Sequence, residues 1–182
     1  MSSTPHGDDR RVFEEVAAEV IDPVRRYLWR RTDPATADDV LSETLLVLWR
    51  RARDVPAERV PWAIGVARLQ LANAVRSQRR QERVAQKIID IDPPRASYDP
   101  AEEDAEADRV RSILASLKPA DAEILRLWVW EDLEPRQIAD VLGVSVNAAT
   151  VRLHRARRRF AVAFGKDPAR AGHGEVKEGE TL

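Results

Sequence analysis

Cysteine is absent from the 182 residues. Disulfides, thiol nucleophiles and cysteine-ligated zinc are therefore excluded, and a reducing compartment suits such a chain. Histidine occurs three times and glycine seven. The chain holds no Ser/His/Asp set, no glycine-rich phosphate loop and no HExxH motif, so no catalytic residue, no metal and no cofactor is expected. No stretch approaches the roughly 20 apolar residues of a membrane span. The opening MSSTPHGDDR has no apolar segment of the secretory kind. A cytoplasmic protein without membrane insertion is expected. Alternating β-branched runs are missing as well, which excludes an extended sheet.

What is present is charge, and it is segregated. The formal net charge of −1 hides this. Between Arg50 and Lys87 ten basic residues face only Asp54, Glu58 and Glu82. From Asp90 to Asp108 the sign inverts, with Arg95 alone among acids. From Ser145 to Phe160 the charged residues are all arginine: Arg152, Arg155, Arg157, Arg158 and Arg159. Two basic stretches thus flank an acidic one, and local charge decides where a polyanion binds.

The apolar periodicity is helical throughout. Residues from about 11 to 31 read as helix with a break, Asp22-Pro23 offering an N-cap and first-turn proline for a fresh start. Asp33-Pro34 begins the next helix, whose stripe is Val40, Leu41, Thr44, Leu45, Leu48 and Trp49. Pro56 and Pro61 bracket a loop. A third helix follows to about Ala85, with Trp62, Val66, Leu69, Ala72 or Asn73, and Arg76 on one stripe. Trp62 is placed in the core, with a base-stacking platform as the alternative. Helices resume near Ala105 and run, with breaks, to about Phe164. One of Trp128 and Trp130 is expected to be fully buried.

Residues 135–160 carry the sharpest signal. Ile138-Ala-Asp-Val-Leu-Gly-Val-Ser ends a short helix, turns and restarts within a few residues, as a helix-turn-helix requires. Gly143 permits positive φ at the turn, and Ser145 caps the second helix. Ala149, Leu153, Ala156 and Phe160 line its buried face. The opposite face would enter a major groove: Val146, Asn147, Thr150, Val151 and His154 toward base edges, with the arginines reaching phosphates or bases.

These segments carry a family resemblance. Leu114-Ala-Ser-Leu-Lys-Pro-Ala-Asp-Ala-Glu-Ile-Leu-Arg-Leu, the turn at 138–145 and Arg152-Leu-His-Arg-Ala-Arg together resemble region four of extracytoplasmic-function (ECF) sigma factors. Ala37-Asp-Asp-Val-Leu-Ser-Glu-Thr-Leu and Pro61-Trp-Ala-Ile-Gly-Val-Ala-Arg resemble region two of the same family. The resemblance implies an all-α chain of two small helical domains joined by a flexible acidic linker. The implied layout is a disordered N-terminus (1–10), region two (11–88), linker (89–107), region four (108–163) and a disordered tail (164–182). It implies core RNA polymerase and promoter DNA as partners, and it permits an anti-sigma protein. Asp38, Asp39, Glu43 and Leu46 match the polymerase-contacting helix. Arg53, Arg59, Arg68, Arg76, Arg79 and Arg80 match the segment that opens the −10 element. Asn147, Thr150, Val151, Arg152, His154, Arg155 and Arg158 match the −35 reader. The chain departs from the common pattern at Leu69, Asn73, Ala148 and Thr150. The competing reading is a helix-turn-helix regulator acting by itself on duplex DNA, which would need neither an acidic polymerase-facing helix nor a second basic one.

Overall fold

A computed structural model describes residues 5–86 and 105–165. The order is α1 (Pro5–Trp29), α2 (Pro34–Arg50), a single 3-10 turn (Ala52–Asp54), α3 (Arg59–Gln86), α4 (Ala105–Ser116), α5 (Pro119–Val129), α6 (Pro135–Leu142) and α7 (Val146–Ala163). The described residues contain no strand, and the all-α expectation holds. α1, α2 and α3 pack on one another, and α5 and α6 pack on α7.

α1 corrects two expectations. It begins at Pro5, inside the segment expected to be disordered, and it runs unbroken through Pro23. A proline inside a helix costs about 3 kcal/mol through its lost N–H and its clash with the preceding turn. Val16, Val20, Val24, Tyr27 and Leu28 are all buried, and they keep one helical register across Pro23. Burying each large apolar side chain contributes roughly 1.5–3 kcal/mol, so the residues beyond Pro23 outweigh the break.

α2 starts where the sequence places it. Asp33 caps it, its carboxylate accepting from Thr36 N at 3.0 Å. That hydrogen bond holds the Asp33 carboxyl below its ordinary value. Val40, Leu41, Thr44 and Leu48 are buried as expected. Thr44 satisfies its hydroxyl by donating to Val40 O at 2.7 Å. Trp49, expected on this stripe, is 46% exposed and meets only the edge of Phe13, with ring centroids 5.2 Å apart.

α3 is rotated from the expected stripe. Its buried residues are Pro61, Ala63, Ile64 and Ala67, while Leu69 is 60% exposed. Two alanines make a narrow face that lets α3 approach its neighbours closely. A hydrophobicity pattern weighted by Trp62 and Leu69 points to the wrong side.

The two modules also touch. α6 packs against α3, with the Val141 backbone 3.6 Å from where a Cβ on Gly65 would stand. One apolar cluster runs from Val16 through Ile64 to Val141 and Leu153. Residues 87–104, most of the expected linker, lie outside the described residues, as do 1–4 and 166–182. Of the tail expected to be disordered, Phe164 is described and stacks on Phe160 at 5.8 Å.

Two stability outcomes follow from the caps. Asp33→Ala lowers stability by about 1 kcal/mol at pH 7. The folded carboxyl titrates below its ordinary 3.8, so the cap's contribution is full above that value and is lost as pH falls beneath it. Urea unfolding of both proteins at pH 7 and pH 3 should show the gap closing. Gly143 sits at φ 66° with nothing within 4 Å of an added Cβ. Gly143→Ala should therefore cost only the left-handed backbone penalty, about 1–2 kcal/mol, and Gly143→Asn less.

Candidate nucleic-acid interface

The helix-turn-helix is assembled from α6 and α7. Glu134 precedes α6, and its backbone N–H donates to Gln137 Oε1 at 3.0 Å. Pro135 occupies the first turn, where its missing N–H loses nothing. At the far end Gly143 adopts the left-handed conformation, and Val144 N donates to Ala139 O at 3.0 Å, closing the helix. Ser145 Oγ then accepts from Ala148 N at 3.2 Å and starts α7. Ile138, Ala139 and Val141 of α6 and Ala149, Leu153 and Ala156 of α7 are buried against each other and α5.

That packing leaves the other side of α7 open. Asn147, Thr150, Val151, Arg152, His154, Arg155 and Arg158 are all exposed. Asn147, Thr150, Val151, His154, Arg155 and Arg158 share the side of α7 opposite its buried stripe, and Arg152 lies at the border of that stripe. Thr150 donates its hydroxyl to Val146 O at 2.8 Å, so it presents a methyl group and an acceptor outward. Two arginines leave the expected phosphate-reaching set. Arg157 lies over the Trp128 ring at 4.4 Å, and Arg159 pairs with the buried Asp121 of α5. Both hold α7 to α5. Neither Trp128 nor Trp130 is fully buried; Arg157 lies over the Trp128 ring, and Arg30 and Arg126 lie near the Trp130 ring.

The first module presents two charged faces that meet. Asp38, Asp39, Glu43 and Leu46 are exposed along α2, Leu46 at 40%. Arg76, Arg79 and Arg80 are exposed on α3. Asp39 and Glu43 line one wall of a groove of about 540 Å³, and Asn73, Arg76 and Arg80 line the other. The acidic and basic sets are therefore neighbours, which spacing along the chain does not reveal. Arg76 donates to Asn73 at 2.5 Å.

The remaining arginines are partly committed. Arg53 pairs with Asp9, and Arg59 with Glu19 at 3.1 Å. Both pairs are at the surface, where such a pair contributes about 0–1 kcal/mol, so a phosphate can displace the carboxylate. Arg68 is half-buried at the groove between the modules. Trp62 is half-buried there too, packed against the edge of the core with the Arg51 guanidinium 5.9 Å from its ring. The sequence reading missed Trp49. It walls a second groove, of about 480 Å³, with Arg50, Arg51 and Arg53. Its place at the end of an apolar stripe, beside consecutive arginines, was the available signal.

The described residues contain no group of three or more His, Cys, Asp or Glu side chains placed to hold a metal. None of the described helices is long and apolar enough to cross a membrane.

Comparison with known proteins agrees with both modules. Residues 13–81 match the family description Sigma-70 region 2, and residues 107–160 match Sigma-70, region 4. The RNA polymerase sigma factor CarQ of Myxococcus xanthus is 29% identical over 158 residues, covering 85% of this chain and 90% of CarQ. The probable RNA polymerase sigma factor RfaY of Xanthomonas campestris pv. campestris is 30% identical over 136 residues. That match covers 69% of this chain, which spans only 33% of RfaY. The fold is shared with the sigma factor RpoE of Bartonella quintana, solved with the anti-sigma factor NepR. The TM-score is 0.62 at 17% identity, covering 85% of this chain and 98% of RpoE. It is also shared with CnrH, solved with the cytosolic domain of CnrY, at TM-score 0.53 and 19% identity over 86% of this chain and 89% of CnrH. With a region 2 bearing adjoining acidic and basic faces, followed by a region 4 built as a helix-turn-helix, the chain belongs to the sigma-70 family, the RNA polymerase sigma factors that direct promoter recognition.

Proposed function

We propose that this chain binds core RNA polymerase and carries it to promoters by reading a −35 element with α7 and a −10 element with α3 and the loop before it. The free face of α7 carries the reading. Six side chains suited to base edges and phosphates stand on it together, with Arg152 at its margin, while Ala149, Leu153 and Ala156 pack the helix from behind. On that face Asn147, Thr150, Val151 and His154 address bases. Arg152, Arg155 and Arg158 neutralise phosphates and position the helix.

On region 2, Asp38, Asp39, Glu43 and Leu46 form an acidic and apolar patch for the polymerase. Arg53, Arg59, Arg68, Arg76, Arg79 and Arg80 provide the cationic surface for a melted strand. The domains run as 11–88 and 108–163 around the acidic linker. The chemistry of the reaction stays in the polymerase, and this chain acts as a binding subunit in the cytoplasm. RpoE and CnrH were each solved with a bound second protein, which supports an anti-sigma protein as a further partner. A regulator acting alone on duplex DNA leaves the exposed α2 patch without a purpose.

Run-off transcription with core polymerase on a promoter library tests the reading. Promoter-specific starts are expected, and their absence on every template would refute it. Arg158→Ala should weaken region 4 binding on all sequences alike and lower the slope of log affinity against log salt by about 1. Asn147→Ala should instead change which −35 sequences are used. Glu43→Arg with Leu46→Glu should weaken core polymerase binding at least ten-fold while leaving the fold intact by circular dichroism.

A further inference from the structure

A cavity of about 340 Å³ lies between α4, α5 and α7. Val110 and Leu114 of α4 form one wall, Leu125 and Trp128 of α5 another, and Phe160 of α7 a third. Its place follows from how α4 is held. Arg109 donates to Phe164 O at 3.0 Å, and its guanidinium carbon stands 4.7 Å from the centroid of the Phe164 ring. This ties the first half of α4 to the end of α7. Further along α4, Ile113 and Leu114 are buried. The helix is thus fixed at both places, and Val110 and Leu114 flank the space left beside it.

Size and charge together specify an occupant. At about 30 Å³ per water-sized group, 340 Å³ accommodates about eleven non-hydrogen atoms. Small-molecule sites are concave and mostly apolar, with a few placed polar groups, and this cavity falls at the lower end of their size range. Its only charged lining residues are Arg126 and Arg157. The Arg157 guanidinium lies over the Trp128 ring at 4.4 Å, and no carboxylate pairs with it among the described residues. Arg126 reaches Glu123 only at 3.9 Å, beyond hydrogen-bond distance, and Glu123 also accepts from Tyr27. A guanidinium carries five N–H donors, so both arginines retain donors for an anion. Arg157 is exposed and Arg126 half-buried, which sets their charge toward solvent and leaves the interior apolar.

We infer that this cavity binds a small amphipathic carboxylate, its apolar body against Leu114, Leu125 and Trp128 and its carboxylate on Arg157 and Arg126. Burial of the body supplies attraction. The planar guanidinium forks match a carboxylate and fix its orientation. A purely apolar segment of another protein would fill the same walls but leave both guanidiniums without an anion. The inference goes beyond the sigma-factor reading and does not need it, because the free chain carries the whole site. Arg157 and Phe160 belong to α7, so a molecule seated here bears on that helix from behind its open side.

Sodium decanoate, a straight chain ending in a carboxylate, is the probe. It is titrated into the full chain without polymerase or DNA. The five tryptophans report its place through their indole N–H signals in proton–nitrogen correlation NMR, assigned with single Trp→Phe variants. The Trp128 and Trp130 signals should shift saturably while those of Trp29, Trp49 and Trp62 stay in place. The midpoint of thermal unfolding should rise with decanoate, since the ligand binds the folded chain. Decanol, which lacks the charge, should bind about ten-fold more weakly, and so should decanoate on the double variant Arg126→Gln with Arg157→Gln. Val110→Trp fills the cavity and should abolish the shifts. Circular dichroism checks that this variant folds; where it does not, the arginine variant decides. No saturable shift at Trp128 and Trp130 overturns the proposal. Equal affinities for decanoate and decanol also overturn it, as do shifts spread over all five indoles, because either marks a non-specific apolar surface. If decanoate has no effect and only added core polymerase moves Trp128 and Trp130, the cavity seats a polypeptide and the proposal is wrong.

Discussion

The closeness of α3 to its neighbours underlies the rest of this structure. Ala63 and Ala67 are fully buried, and with Gly65 they give α3 a surface almost free of bulk on two sides. One side meets α1 and α2, and the other meets α6. Larger side chains at these positions would hold the helices apart and leave voids that cores tolerate poorly. α3 is thereby both the centre of the first module and the seat of the second. Its remaining surface is left for arginine.

A similar division recurs on α2, α3 and α7. A narrow apolar stripe is buried, and the solvated remainder carries mostly one sign of charge. On α2 the remainder is acidic, on α3 and α7 basic. Because burial fixes how each helix is turned, it also fixes where its charges point. Arg157 and Arg159 show the converse. They lie on the basic helix but turn toward Trp128 and Asp121 of α5, so they brace α7 while Arg152, Arg155 and Arg158 stay exposed. Basic residues on one helix thus divide into those that orient it and those left to solvent.

The contact between the modules is of another kind. Within each module polar groups are capped or surface-exposed, as at Asp33, Ser145 and Thr44. Between the modules a buried guanidinium is left partly unsatisfied. The contact therefore combines apolar packing at α3 and α6 with a polar centre that is only partly hydrogen-bonded.

Much was legible in the residues themselves. The bounds of α6, the positive φ at Gly143, the cap at Ser145 and the buried face of α7 follow from local rules that act within a turn or two. So does the helical class, from periodicity and scarce glycine. Long-range packing decided the rest. Pro23 reads as a break until the residues on both sides are seen buried against α2 and α3. Leu69 and Trp49 read as core until small alanines win the interior and leave the larger residues outside. The pairing of Arg31 with Glu131 joins residues 100 apart, and no local spacing encodes it. Sequence alone determined which helices form and which charges each carries, because those are short-range matters of hydrogen bonding and period. Tertiary structure decided which face turns inward and which arginines are free, because that depends on shapes brought together from distant parts of the chain.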